Sequence, residues 1–204
     1  MNFLKSIVNG REGFSPKVQR FLKEYGDVPI DTIEIFRNPL TAFYSLTGNL
    51  LSQGKIKYEK LFHLGLKVGL KNGKVLTVEK NEVINVDYFK HKPKMELMSV
   101  NIPFANLTIN KMLENTKALM GDKFYKYQAG TNNCQFFAMS VLKSNHLLKP
   151  EYNTFIMQDV KHLFENSTVR KITNTLTDIG GRKDVVIQGG KLKKSHQLTA
   201  LSDV

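Results

Sequence analysis

The chain contains a single cysteine, Cys134, at a point where a polar turn is predicted to become an apolar helix. Asn132 or Asn133 can cap that helix, which is predicted to run to about Asn145. A cysteine in the first helical turn lies near free N–H groups and the positive end of the helix dipole, and both favour the reactive thiolate. The same N–H groups are suited to stabilising an oxyanion formed by attack on a carbonyl. The alternative is that Cys134 is a small buried hydrophobic residue.

The segment 62–70 carries the candidate base. Its apolar residues alternate strictly with polar residues and glycines, which predicts a half-buried strand with His63 on its polar face. A nucleophilic cysteine needs a base, and histidine is the usual one. Gly65 and Gly69 are expected to leave room beside His63 for another backbone or a ligand. The alternative is a His63 that only faces solvent. The other histidines have no comparable setting: His91, His146, His162 and His196.

A hairpin is expected to supply the third residue of the site. Turn residues at 71–73 (Lys-Asn-Gly) return the chain into a second strand, 74–79. The register that buries the apolar residues of both strands together places Glu79 and Asn81 on the face of His63. Either Glu79 or Asn81 is therefore predicted to orient the imidazole. A loop that is one residue different would turn both side chains away.

Together these elements resemble the lecithin:retinol acyltransferase-like group, which belongs to the circularly permuted branch of the NlpC/P60 papain-like superfamily. The resemblance covers about residues 61–148, and an aromatic residue upstream of the cysteine, Tyr127, also fits it. The matching pieces are Phe62-His63-Leu64, Val78-Glu79 and Asn133-Cys134-Gln135-Phe136-Phe137.

The resemblance implies an α+β domain with a permuted papain-like (NlpC/P60) fold. In that fold an antiparallel sheet packs against helices, and here helical additions are expected at both ends. The cysteine and histidine would act as nucleophile and base, with Asn133 and Gln135 supporting the oxyanion. The acyltransferase branch usually has a second histidine on the return strand, whereas Glu79 or Asn81 must take its place in this chain. Such chemistry needs no metal and no cofactor, and none is predicted.

Further elements follow from caps and periodicity. Strands are predicted at 28–36 and 96–102, and helices at 16–26, 40–51, 109–120, 155–164 and 169–179. The chain is thus divided into an N-terminal extension (1–14), a papain-like α+β domain with flanking helices (15–180) and an extended basic arm (181–204).

The formal net charge of +12 favours an anionic partner. An acyl-bearing lipid or protein is the expected substrate. An anionic membrane surface and capsid proteins are candidate partners, and nucleic acid is a minor option. The alternative is a solvated basic surface with no specific partner. A single cysteine excludes an internal disulfide and favours a reducing compartment. Neither a signal peptide nor a spanning segment is expected.

The whole sequence, including residues 79–85 (Glu-Lys-Asn-Glu-Val-Ile-Asn) and the late Gly-Gly-Arg at 180–182, also resembles small proteins of double-stranded DNA viruses and virophage-like elements. Residues 187–190 (Ile-Gln-Gly-Gly) are similar to the cleavage sites of adenovirus-type maturation proteases, and the alternative is an ordinary glycine-rich turn. We therefore predict a cysteine-dependent hydrolase or transferase of acyl groups, acting on an ester, thioester or amide, in a virion or the host cytoplasm. The alternative is a non-catalytic structural or minor capsid protein built on a papain-like scaffold.

Overall fold

A computed structural model describes residues 13–39, 62–127 and 131–157, with the backbone of 185–188 and 191–194. These residues form an α+β structure, which confirms the predicted fold class at that level. The predicted helices at 40–51 and 169–179 lie outside the described residues, as does most of the N-terminal extension. The elements are α1 (Pro16–Tyr25), β1 (Ile30–Pro39), β2 (Phe62–Leu70), β3 (Val75–Lys80), β4 (Ile84–Tyr88), β5 (Glu96–Val100), α2 (Ile109–Met120), α3 (Cys134–Ser144), α4 (Pro150–Ile156), β6 (Val185–Gln188) and β7 (Lys191–Lys194).

The first five strands form one antiparallel sheet in the order β4-β3-β2-β1-β5. The hairpin register agrees with the prediction, because Gly65 lies opposite Glu79 and Val68 lies opposite Leu76. Strand β4 was not predicted, although the alternation of Ile84, Val86 and Tyr88 with polar residues is a strand signal. Strands β6 and β7, within the predicted arm, pair with each other.

The helices begin where their capping residues predict. Ser15 accepts the N–H of Val18 at the start of α1, and Thr108 accepts the N–H of Lys111 at the start of α2. The helix predicted at 155–164 is different in the structure, since α4 begins at Pro150 and ends at Ile156. Proline is favoured at the first helical position, and Pro150 is therefore the sequence signal for the start of this helix. Residues 158–164 are outside the described part of the chain.

One face of the sheet forms the core with the helices. Helix α3 packs on β2 and β3, and on its other sides it contacts α2 and α4. This packing brings the beginning of α3 to the end of the sheet where β2 begins. The fully buried core residues of these elements include Leu64, Leu66, Val68, Leu76, Val78, Met112, Leu113, Phe137 and Val141.

Strand β2 departs from the predicted half-buried pattern in its first half. All residues from Phe62 to Leu66 are buried, whereas polar-face residues after that point are partly exposed. His63 is therefore buried and does not face solvent. The sequence alternation located the two faces of the strand but carried no information on what covers the polar one.

Candidate active site

The packing of α3 against β2 brings Cys134 and His63 together. The thiol and the imidazole are hydrogen-bonded, and the two residues are only 7% and 8% exposed. The backbone N–H of Leu64 also donates to the sulfur, and the N–H of Gln135 is shared between the sulfur and the side-chain oxygen of Asn133. The sulfur thus faces three donors at the junction of a strand and a helix N-terminus. Such a setting stabilises a thiolate.

Glu79 completes a chain of three side chains. Nε2 of His63 and Oε2 of Glu79 are 3.0 Å apart, so the ring N–H donates to the carboxylate. This contact leaves Nδ1 of the same ring as the nitrogen for Cys134. A carboxylate on one ring nitrogen and a thiol on the other is the arrangement in which an imidazole is oriented as a base for a nucleophile.

The electrostatics of the group favour a thiolate and an imidazolium. Burial by itself lowers the pKa of His63, but the charge of Glu79 and the hydrogen bonds from Cys134 and Glu79 outweigh it and raise the pKa to about 10. Burial likewise raises the pKa of Cys134, and the hydrogen bond and charge of His63, with the two backbone N–H groups, bring it below its ordinary value. The proton therefore resides on the imidazole, and the sulfur is primed for attack.

Glu79 is ionised in this setting. Burial raises the pKa of its carboxyl, but the charge and hydrogen bond of His63 and the charge of Lys92 lower it further than burial raises it. Asp87 acts in the opposite direction. The net lowering keeps a negative charge next to the imidazolium at neutral pH.

Asn81, the other candidate for this position, does not hydrogen-bond the imidazole. Its side chain is buried, and among the described residues neither its amide oxygen nor its amide nitrogen has a hydrogen-bond partner. Its backbone N–H donates to Val83 O in the turn that follows β3. The choice that the sequence left open between Glu79 and Asn81 is thus resolved in favour of the Glu79 contact.

Asn133 caps α3 as predicted. Its side-chain oxygen accepts the N–H groups of Gln135 and Phe136 at 3.0 and 3.1 Å. The sequence led us to expect that the N–H groups of the first turn would be available together for an oxyanion. The cap already uses two of them, so the N–H of Cys134 is the one outside the capping interaction. The side chain of Gln135, the residue after Cys134, is buried.

The glycines near His63 do not leave the space that the sequence suggested. A Cβ atom at Gly65 would lie 2.6 Å from the ring of Phe36 and 2.8 Å from Cβ of Glu79. At Gly69 the space is taken by the hydroxyl of Thr32. The Phe36 ring also lies 6.2 Å from the His63 ring, centroid to centroid. Gly65 therefore permits close packing of an aromatic ring against the site, and no ligand fits there.

A cleft of about 570 Å³ includes Glu79 in its lining. Its lining combines the apolar side chains of Phe36, Phe89 and Met95 with the exposed lysines Lys90 and Lys92. Of the three residues Glu79, His63 and Cys134, Glu79 is the one that lines this cleft, and one-fifth of its side chain is exposed.

The sequence did not predict that two buried polar residues beside the site, Lys80 and Asn132, contact each other. Lys80 stands at a core-face position of β3, after Leu76 and Val78, and is 1% exposed. The available signal for a buried lysine was that Lys80 continues the alternating positions of the apolar residues Leu76 and Val78. The remaining described histidines, His91 and His146, are exposed.

Among residues 13–39, 62–127 and 131–157, no cluster of three or more histidine, cysteine or acidic side chains could hold a metal ion. In the same part of the chain no helix has the length and apolar character to cross a membrane. Comparisons with protein-family models, with curated proteins and with solved structures find no match to this chain.

Proposed function

We propose that the protein is a cysteine-dependent acyl hydrolase or acyltransferase. The observation that carries the proposal is the continuous hydrogen-bonded chain from Glu79 through His63 to Cys134 at the start of a capped helix. Three residues from three elements converge there, and each has the charge that nucleophilic catalysis requires. The order of a histidine strand, a return strand and a cysteine helix supports a permuted papain-like fold.

In the proposed reaction the Cys134 thiolate attacks a carbonyl carbon, and a C–S bond forms as the carbonyl π electrons move onto oxygen. The N–H of Cys134, outside the capping interaction, would donate to that oxyanion. The imidazolium of His63 then gives its proton to the leaving oxygen, sulfur or nitrogen as the old bond breaks. Neutral His63 next takes a proton from water or another acceptor, which attacks the thioester. Collapse of the second intermediate releases the acyl product and the thiolate.

The substrate class in this proposal is an ester, thioester or amide of a lipid or protein. The positive net charge supports a substrate at an anionic surface, because lysines near anionic headgroups bind favourably. Lys90 and Lys92, beside the cleft at Glu79, would place such charge next to the site. Capsid proteins and an anionic membrane are the proposed partners, in a virion or the host cytoplasm.

The second candidate is a non-catalytic virion protein on the same scaffold. It is favoured by the burial of both Cys134 and His63 among the described residues. A small buried cysteine is a common core residue, and burial limits the access of a substrate. The enzyme requires a reactive thiolate at Cys134, whereas the non-catalytic protein requires only a small buried side chain there.

The deciding experiment is the pH dependence of Cys134 alkylation by iodoacetamide. Because Cys134 is the only cysteine, all alkylation reports on this residue. We expect a thiolate that titrates well below the ~8.5 of a free cysteine, and we expect this lowering to be lost in His63→Ala. His91→Ala, at an exposed histidine, is the control. Slow alkylation with an ordinary thiol pKa in all three proteins would rule out the enzyme and leave the scaffold.

A further inference from the structure

Lys80 is the most deeply buried charged side chain next to the site. Its Nζ donates to the backbone oxygen of Lys123 at 2.9 Å and lies 3.5 Å from Oδ1 of Asn132. It also lies 5.9 Å from the centroid of the Phe137 ring, in the first turn of α3. None of the ion pairs among the described residues includes Lys80. These contacts of the Lys80 ammonium lie in the segment that leads into α3 or in α3 itself.

Asn132 makes further hydrogen bonds within the segment that precedes α3. Its amide nitrogen donates to the backbone oxygens of Lys123 and Lys126, at 2.7 and 2.6 Å. The side chain is itself buried. Asn132 and Lys80 thus share the carbonyl of Lys123 and join β3 to the residues on either side of 128–130.

Lys80 and Glu79 are neighbours in β3 and contact different parts of the site. Lys80 directly follows Glu79, so the two side chains point to opposite faces of β3. Glu79 contacts His63, whereas Lys80 contacts Lys123 and Asn132 in the segment before Cys134. Through adjacent side chains, β3 therefore contacts His63 and also the segment and helix that carry Cys134.

We propose that Lys80 is a positioning residue that, through Asn132 and the Lys123 carbonyl, fixes the start of α3 relative to the His63–Glu79 pair. This inference rests on the proposed function of Cys134. A buried ammonium without a carboxylate partner costs free energy, and an apolar residue would fill the same core position at no such cost. The polar contacts of Lys80 connect β3 to the segment before α3. A small displacement of a nucleophile strongly lowers its rate of attack, so this connection would matter for Cys134.

The test compares Lys80→Met with Lys74→Met, which removes an exposed lysine from the turn of the same hairpin. Thermal unfolding and the pH profile of Cys134 alkylation are measured for both. For Lys80→Met we expect a melting temperature near or above that of the wild type. Alkylation at pH 7 should be about tenfold slower, with the thiol pKa moved toward that of a free cysteine. Lys74→Met should match the wild type in both measurements.

A Lys80→Met protein that melts lower but keeps the wild-type alkylation profile would show a purely structural lysine and overturn the proposal. If Lys80→Met does not fold, Asn132→Ala removes the other partner, and the same slowing of alkylation is expected. An unchanged profile in Asn132→Ala would then overturn the proposal. Failure of the proposed function is separate, because it appears as an ordinary thiol pKa in the wild-type protein itself.

Discussion

Replacing Glu79 with glutamine tests the electrostatic basis of the site. The substitution keeps an acceptor oxygen for Nε2 of His63 but removes the negative charge. Without that charge, burial should dominate and the pKa of His63 should fall. The imidazolium would then be lost at a lower pH, and Cys134 would lose part of the stabilisation of its thiolate.

The magnitude follows from the 3.0 Å separation of Nε2 and Oε2. At that distance the attraction of two unit charges is about 5 kcal/mol at an effective dielectric constant of about 20, and about 1 kcal/mol in bulk water. The side chains are 9% and 20% exposed, so an intermediate value of about 3 kcal/mol is appropriate. This energy corresponds to a fall of about two in the pKa of His63.

The assay follows the ring C–H proton signals of the histidines by NMR from about pH 5 to pH 11, with His63→Ala to assign the signal of His63. We expect a pKa of about 10 for His63 in the wild type and a clearly lower pKa for His63 in Glu79→Gln. Alkylation of Cys134 in the same variant should show a higher thiol pKa. Glu82→Gln, at an exposed carboxylate in the following turn, is the matched control.

A His63 pKa in Glu79→Gln that stays within about half a pKa of the wild type would refute the reasoning, since it would mean that the carboxylate does not stabilise the imidazolium. The same conclusion would follow if Glu82→Gln and Glu79→Gln lowered the pKa equally. In that case net charge, and not the contact with Glu79, would determine the protonation of the imidazole.

Three other predictions concern the residues around the site. The folded-state pKa of Lys80 is lowered by burial from 10.5 to about 8, so its protonation opposes folding below pH 8 and this penalty disappears as the pH rises toward 10.5. Urea unfolding should therefore show the wild type gaining about 2.5 kcal/mol relative to Lys80→Met between pH 7 and pH 10, and a constant difference would contradict the burial of the charge. Gly65→Ala should lower the free energy of unfolding by about 1–3 kcal/mol, because the new methyl group meets a buried ring, whereas Gly69→Ala meets a hydroxyl that can rotate and should cost less. Equal losses in the two glycine variants would argue against the tight packing of that ring. Asn133→Ala should cost about 1 kcal/mol through loss of the cap, whereas Asn133→Asp keeps the cap and should raise the thiol pKa in the alkylation profile, because it places a negative charge beside Cys134. A thiol pKa that is unchanged in Asn133→Asp would show that the cap does not face the sulfur.

Local sequence patterns were sufficient for the elements that carry the site. Strict alternation in β2, an Asn-Gly turn and the apolar residues of β3 define a hairpin register, and that register places Glu79 on the face of His63. Asn133 before Cys134 is a local capping signal, and the structure shows that cap. Both inferences depend on neighbours in the chain or across one turn, where residue type and spacing determine the geometry.

Tertiary packing decided which of these faces meet and how closely. The contact of His63 with Cys134 exists because α3 packs on β2 and β3, and nothing in either segment alone specifies that distance. The selection of Glu79 over Asn81 depends on side-chain reach within the folded sheet. The ring that fills the space at Gly65 comes from β1, and the partners of Lys80 come from the segment before α3. Periodicity identifies the face on which a residue lies, but long-range packing determines what that face touches, and the environment of the thiol is set by those contacts.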